Sequence, residues 1–168
     1  MTARRAARAL LVGGLLLALL VAGCGVRPSD VITGRPATAG PSEGIGLYLL
    51  RYGQLVLVIT PIDPATPPEK TLGWLAAGPD DEMRRQGLTS EVPEGVIPAS
   101  PVTVTADRSG LTVTMTGPVL PLSAAAADQI ACTLADAAAR TDLADTFASV
   151  TIAGPDGARP PRVCPVVK

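Results

Sequence analysis

The side chains that most often carry catalysis are sparse in this 168-residue chain, which contains no histidine. Histidine is the side chain best suited to acid–base work near neutral pH. Ser90 and Ser123 could act as nucleophiles, but no base accompanies either one, and helix capping is the better interpretation for both. The chain also has no glycine-rich phosphate loop and no Gly-x-Ser-x-Gly turn. We therefore expect no catalytic residues and no cofactor, and we do not expect an enzyme.

Cys24 stands at the end of a segment typical of exported proteins. Three arginines precede an apolar run over residues 9–20, which is too short to span a bilayer as a helix because about 20 residues are needed. The sequence Val-Ala-Gly-Cys at residues 21–24 resembles the lipobox of bacterial lipoproteins. This resemblance implies that residues 1–23 are a cleaved signal peptide and that acyl chains such as palmitate anchor Cys24 to the extracytoplasmic face of the cell membrane. The alternative is an ordinary signal peptide with a chance cysteine.

Cys132 and Cys164 are the two cysteines that remain, an even pair in an exported, oxidising context. We predict a disulfide between them, which would contribute roughly 3–4 kcal/mol if it acts by restricting the unfolded chain. The alternative is two buried free thiols. We expect no metal site, since the chain has no histidine and two thiolates do not complete the four-ligand shell that zinc prefers.

The charge of the processed chain is mildly acidic. Of 14 basic residues, three arginines leave with the signal peptide, so 11 remain against 15 acidic residues and the net charge becomes −4. This balance argues against nucleic-acid binding, which needs a basic stripe and stacking aromatic residues. It also argues against electrostatic adhesion to an anionic membrane. Membrane attachment would therefore depend on the lipid at Cys24.

Candidate binding residues cluster in one stretch: Trp74, Asp80, Asp81 and Arg84 combine an aromatic ring with charged groups, as a ligand cleft requires. Trp74 lies partly off the apolar face of its predicted helix, so it is either a core residue or an exposed recognition residue. The preferred interpretation of the charges is structural. Acidic residues favour a helix start, and basic residues one turn later form i,i+3 and i,i+4 pairs with them.

The elements that position these residues begin after a Gly/Pro/Ser/Thr-rich segment. Residues 24–44 are interpreted as a flexible tether and residues 45–168 as the folded domain. Two apolar runs, 46–52 and 55–59, flank Gly53-Gln54 and predict a hairpin with a type II′ turn. Because both runs are nearly continuous, we expect both strands to be buried on both faces.

A helix is predicted next, with Thr66 as its N-cap, Pro67 at its first position and Glu69 completing a capping box. It should end at Ala77, because Gly78 and Pro79 form a stop. The acidic residues after Pro79 then open a short second helical turn.

The rest of the domain is predicted to alternate strands with one long helix. Residues 102–105 and 111–115 alternate with period two and predict a half-buried hairpin. Ser123 caps a helix with a narrow stripe of small apolar residues; the stripe consists of Ala127, Ile130, Ala131, Leu134, Ala135 and Ala138. A strand over 147–153 and an extended segment over 162–167 follow, so the disulfide would pin the end of the chain to the long helix.

Residues 72–95, LGWLAAGPDDEMRRQGLTSEVPEG, resemble the signature of the GerMN domain, which occurs in spore-germination and sporulation proteins and in lipoproteins of high-GC Gram-positive bacteria. The family pattern is a helix ending in L-x-x-G-P, an acidic turn, and G-L-x-(S/T)-x-(I/V)-P-x-G, matched here by Leu75–Pro79 and Gly87–Gly95. The order of strands and helix extends the resemblance over residues 46–152. The chain departs from the family at residues 116–118, Thr-Gly-Pro, where an aspartate is usual, and the family offers no established catalytic residues.

We predict an α+β fold, a single small domain of antiparallel hairpins packed against two helices. The resemblance implies a similar sheet-and-helix domain, akin to the ring-building domains of secretion and sporulation complexes. Our first function hypothesis is a membrane-anchored, non-catalytic accessory lipoprotein that binds an envelope protein partner, in assembly or signalling. The alternative is a domain that binds cell-wall peptidoglycan through Trp74 and the Asp80 turn, and a hydrolase is the least favoured hypothesis.

Overall fold

The computed structural model describes residues 43–105, 107–145 and 147–165. The expected signal peptide (1–23), the lipobox, all but the last two residues of the expected tether, and residues 166–168 lie outside the described residues. Within the described part of the chain, none of the helices combines the length and the hydrophobicity needed to cross a bilayer.

The fold is α+β, as predicted, and it contains two sheets and three helices among the described residues. In chain order the elements are β1 (Ile45–Arg51), β2 (Gln54–Thr60), α1 (Pro68–Ala77), α2 (Asp81–Arg85), β3 (Leu88–Thr89), β4 (Thr103–Val104), β5 (Gly110–Thr114), α3 (Ala124–Arg140), β6 (Ser149–Gly154) and β7 (Gly157–Ala158). The first sheet has the strand order β2-β1-β3 and the second β4-β5-β6-β7.

The predicted hairpins are present, but one strand pair differs from the expectation of antiparallel pairing throughout. Strands β1 and β2, β4 and β5, and β6 and β7 pair antiparallel. Strands β5 and β6 pair parallel, with Leu111 opposite Val150 and Val113 opposite Ile152. The connection between them is α3, as expected for a parallel pair, which cannot be joined by a tight turn.

The sequence pattern predicted the turn between β1 and β2 one residue too late. Arg51 pairs with Gln54, so the central turn residues are Tyr52 and Gly53 rather than Gly53 and Gln54. Both have positive φ, 52° and 75°, which defines a type I′ turn and corrects the predicted type II′ turn. A type I′ turn matches the right-handed twist of the flanking strands, and Gly53 meets its second positive φ without strain.

Strand burial matches the prediction for β1 only. Residues 45–50 of β1 are buried, whereas β2 is half-buried to exposed and Leu57 is 44 % exposed. The expectation that β2 is buried on both faces is therefore wrong. The reason is its position, because β2 is the outer strand of its sheet and β1 is the central one.

The start of α1 also differs from the prediction by one residue. Pro67 is the N-cap, and no side chain caps the helix. The Thr66 hydroxyl instead donates to the Asp63 carbonyl at 2.6 Å, so the predicted Thr66–Glu69 capping box is not formed. The end of the helix is confirmed, since α1 stops at Ala77 and Gly78 follows with φ 76°.

Helix α3 joins the two sheets and α1 around one core. It packs against β1, against β6 and against α1. Ser123 caps it as predicted, accepting the Ala126 N–H at 3.0 Å. The predicted stripe of small residues is buried, and so are Gln129, Cys132 and Thr133 on a second side of the helix. This wider burial follows from the contact of α3 with both sheets.

Cys132 and Cys164 form a disulfide, with their Cα atoms 4.7 Å apart. The predicted pairing is confirmed and two free thiols are excluded. The bridge is buried beside Tyr48 and Leu55 of the first hairpin. It therefore fixes the end of the described chain to α3 on the β1–β2 side of the domain.

The loop between β4 and β5 is organised by Asp107. Its carboxylate accepts hydrogen bonds from the Thr105 hydroxyl at 2.6 Å, the Ser109 hydroxyl at 2.8 Å and the Ser109 N–H at 3.2 Å. The Thr105 hydroxyl, followed by the Ser109 hydroxyl, lowers the pKa of Asp107 from its usual 3.8 to about 2. These bonds favour the ionised carboxylate and hold the loop closed.

Candidate functional site

The predicted binding residues meet at a shallow hollow between α1, α2 and the first sheet, which we name the Trp74 groove. Its volume is about 290 Å³. It is lined by Leu47, Thr60, Trp74, Ala77, Gly78, Pro79, Asp80, Met83 and Arg84. Three of the four candidate residues, Trp74, Asp80 and Arg84, are therefore brought together. Asp81 does not line the groove, because its side chain points away and is 87 % exposed.

Trp74 is an exposed aromatic residue, which resolves the open question about its position. Its helix α1 buries Leu72, Leu75 and Ala76 in the core. Trp74 lies beside this face and remains 51 % exposed. Large exposed aromatic rings are costly in water and are enriched where proteins bind partners. Trp74, which lines the groove, therefore marks it as a candidate binding surface.

The break between α1 and α2 shapes one wall of the groove. Gly78 has a positive φ and leaves open space where a side chain would stand. Pro79 is buried, and Asp80 caps α2 by accepting the Met83 N–H at 2.8 Å. With this cap α2 begins at Asp81, two residues after Pro79. Met83 of α2 consequently lines the groove together with Trp74 of α1.

The charges at this break are largely paired with one another, as the structural interpretation predicted. Asp81 pairs with Arg84 at 2.9 Å, and Glu82 pairs with Arg85, both at i,i+3. The hydrogen bond from Arg85, followed by that from Gln86, lowers the pKa of Glu82. These exposed pairs contribute little to stability. Of the two charged residues that line the groove, Arg84 is thus paired, whereas Asp80 has no cationic partner among the described residues and the Thr60 hydroxyl in the groove has no hydrogen-bond partner there.

Two buried polar residues on α3 were not recognised from the sequence as an interacting group. The Thr133 hydroxyl accepts the Tyr48 N–H at 3.0 Å, and the Gln129 amide N–H donates to the Tyr48 carbonyl at 3.0 Å. Gln129 also accepts the Glu91 N–H at 2.9 Å through its amide oxygen. One turn of α3 thus supplies hydrogen-bond partners to the backbone N–H and C=O of Tyr48, at a point where no strand pairs with that edge of β1. Two polar residues spaced i,i+4 within an apolar helix were the signal that could have revealed this role.

The two serines considered as nucleophiles have structural partners. Ser123 caps α3 and donates from its hydroxyl to Glu91, and Ser90 lies within 3.5 Å of the Gln129 amide nitrogen. Glu91 itself remains exposed. The contact ties the loop after β3 to the start of α3. It is a capping arrangement, since the same hydroxyl accepts a helix N–H.

Asp156 and Arg159 hold the segment between β5 and α3 through hydrogen bonds to its backbone. Asp156 accepts the Val119 and Leu120 N–H groups at 2.8 and 3.0 Å, and the Val119 bond is the main cause of the lowered pKa of Asp156. Arg159 donates from one nitrogen to the carbonyls of Val119, Leu120 and Leu122 at 2.9–3.1 Å. These contacts use the charges of both side chains to organise backbone. They give both side chains a structural role.

Two other cavities, of about 340 and 330 Å³, contain none of the candidate residues. The first lies between the start of α1 and the end of α3, and the second between the loop after β3 and the start of α3. Both are lined mainly by proline and aliphatic side chains and lack an aromatic residue. In the residues that the structure covers, no cluster of three or more acidic, cysteine or histidine side chains could hold a metal ion.

Comparison with known proteins identifies no relative. The scan against protein-family models gives no match. Searches of curated proteins and of solved structures also give no match.

Proposed function

We propose that this chain is a lipid-anchored, extracytoplasmic protein whose domain binds a protein partner through the Trp74 groove and catalyses no reaction. The observation that carries the proposal is the half-exposed Trp74 above an apolar floor. Tryptophan is among the residues that dominate binding energy when they enter a pocket of a partner. The paired charges around it resemble the polar rim that excludes water from such an anchor.

The hydrogen bond and the ion pair that the polar side chains of the Trp74 groove already make favour a protein partner over peptidoglycan, the alternative ligand. One oxygen of Asp80 is occupied by the Met83 N–H, and Arg84 is paired with Asp81. A glycan needs several free donors and acceptors beside the aromatic ring to fix its orientation. The side-chain oxygens of the groove left without a partner among the described residues are the second Asp80 oxygen and the Thr60 hydroxyl, which are fewer than a glycan needs, whereas an apolar protein anchor needs none.

The proposal includes membership of the GerMN family. It rests on the motif matches at residues 75–79 and 87–95. Local geometry supports it, because the motif glycines Gly78, Gly87 and Gly95 all have positive φ, between 76° and 85°. Other residues would be strained at these positions, so the pattern of the motif has a physical basis in this chain.

Lipid attachment is tested by labelling cells with an alkyne-bearing fatty acid. We expect the wild-type protein to be labelled and to sediment with membranes, and we expect a Cys24→Ser variant to lose the label. A labelled Cys24→Ser variant would contradict the lipidation site.

Partner binding is tested with a photo-cross-linking amino acid at position 74 in the full-length protein in cells. Position 120 is the matched control, because Leu120 and Trp74 are equally exposed, at 51 %. We expect one dominant protein adduct from position 74 that is absent from position 120.

The partner recovered in this way should bind a Trp74→Ala variant at least about 30-fold more weakly, as for an interface hot spot of 2 kcal/mol. Recovery of muropeptides alone from position 74 would favour peptidoglycan binding. Identical adducts from both positions would show that the groove is not the binding site.

A further inference from the structure

The C-terminal end of α1 forms part of the Trp74 groove. Trp74, Ala77 and Gly78 line the groove from this end, and the last turn of α1 carries no basic side chain. The Ala77 carbonyl accepts no backbone N–H among the described residues. Carbonyl groups at the end of a helix carry a partial negative charge and favour a nearby cation. This wall of the groove is therefore electronegative, and α1 supplies no cation of its own to it.

Asp80 adds a full negative charge beside this wall. One of its oxygens accepts the Met83 N–H at 2.8 Å, and the other has no partner among the described residues. None of the ion pairs formed by residues 43–105, 107–145 and 147–165 includes Asp80. Residues 80–85 carry three acidic and two basic side chains, so the net charge of this segment is −1.

The basic residues near the groove do not neutralise Asp80. Arg84 lines the groove, but it pairs with Asp81 at 2.9 Å. Lys70 lies one turn before Trp74 on α1 and does not line the groove. Asp80 therefore keeps a charge that no described residue pairs, on a surface where the helix end has the same sign.

Trp74 contributes a third feature that is independent of these charges. Its indole is half exposed, and tryptophan attracts cations over its ring more strongly than the other aromatic side chains do. Leu47, Pro79 and Met83 provide apolar surface in the same groove. The aliphatic stem of a long basic side chain packs well on such a surface while its charged end reaches polar groups.

We propose that the Trp74 groove receives an arginine side chain of the protein partner. This inference rests on the proposed function and names the chemistry of the partner. A guanidinium group is planar, so it can stack on the indole while its separate N–H groups donate to the second Asp80 oxygen and to the Ala77 carbonyl. Lysine suits the groove less, because its ammonium group is more strongly hydrated and has no planar face.

The test is an NMR titration of the purified full-length chain with short blocked peptides. Trp74 is the only tryptophan, so its indole N–H gives a single signal that reports on the groove. One glycine peptide carries a central arginine, and its matched control carries citrulline, which keeps the planar shape and lacks the charge. We expect the arginine peptide to bind with a dissociation constant on the order of millimolar and the citrulline peptide about tenfold more weakly.

Asp80→Asn is the matched variant, because asparagine caps helices as well as aspartate does and only the charge is removed. We expect this variant to bind the arginine peptide about threefold more weakly and the citrulline peptide unchanged. Glu94→Gln removes an equal charge at an exposed residue outside the groove. It should change the binding of neither peptide.

Equal affinities for the two peptides, no shift of the indole signal with either, or unchanged arginine binding by Asp80→Asn would each overturn the inference. The peptide comparison needs no variant, so it stands even if a substitution disturbs the fold. These failures would leave the proposed function intact, because cross-linking from position 74 tests partner binding whatever the charge of the partner. Identical adducts from positions 74 and 120 would instead refute the proposed function, so the two failures are distinguishable.

Discussion

Replacing Thr133 with valine tests whether α3 stands in for a missing strand beside β1. The substitution preserves shape and removes the hydroxyl that accepts the Tyr48 N–H at 3.0 Å. That N–H has no other partner among the described residues, and Thr133 is completely buried. Leaving a buried N–H unpaired costs about 1–3 kcal/mol. With a urea dependence of about 2 kcal/mol/M, the unfolding midpoint should fall by about 1 M.

Thr71→Val is the matched control, since Thr71 is also completely buried. Its hydroxyl donates at 3.3 Å to the Pro67 carbonyl, which also accepts the N–H groups of Lys70 and Thr71. No backbone group loses its last partner in this variant, so we expect a change within about 0.5 kcal/mol. Urea unfolding of the two variants, followed by circular dichroism with the disulfide intact, gives the comparison. Equal midpoints for the two variants would refute the proposed role of Thr133 at the β1 edge.

Three further predictions follow from the described contacts. Replacing Cys132 and Cys164 together with serine should cost roughly 3–4 kcal/mol and lower the melting temperature by roughly 10–15 °C; an unchanged melting temperature would show that the bridge does not stabilise the fold. Burial, aided by a nearby carboxylate, raises the pKa of Tyr48 above its usual 10.0. The stability linked to its neutral phenol is therefore present below pH 10 and lost as the pH rises beyond it, and absorbance titration of a Tyr52→Phe variant, which has one tyrosine left, should detect the raised value. The pKa of Asp107 is lowered to about 2, so the contribution of its carboxylate to folding stability is present above pH 3.8 and is lost as the pH falls towards 2. An NMR titration midpoint near 3.8 would show that the loop hydroxyls do not hold the carboxylate.

Local patterns predicted the parts of the fold that depend on neighbouring residues. The stop at Gly78, the cap at Ser123 and both predicted hairpins follow from turn residues and periodicity within a few positions. The disulfide was predictable because only two cysteines remained to pair. Boundaries were less certain, since Thr66 and Pro67 are both reasonable helix starts and tertiary context decided between them.

Features that depend on distant residues were not predictable in the same way. The parallel pairing of β5 with β6 joins strands on either side of a helix, and periodicity carries no information about direction. Trp74 lies at the border of an apolar helix face, so its exposure depended on where the first sheet ends. Asp81 lies in the same charged stretch of sequence as Asp80 and Arg84, but it faces away from the Trp74 groove because α2 turns its side chain outwards.

The bond between Tyr48 and Thr133 joins residues 85 positions apart, and this separation has a consequence for how the domain folds. Among the described elements β1 is made first, yet the helix that completes its edge, α3, is made late. A nascent hairpin of β1 and β2 would therefore be open on both sides until most of the chain is present. Contacts of such long range slow folding and prolong the exposure of aggregation-prone strands. We expect the domain to fold only once α3 has emerged, and to depend during that interval on factors that shield its first hairpin.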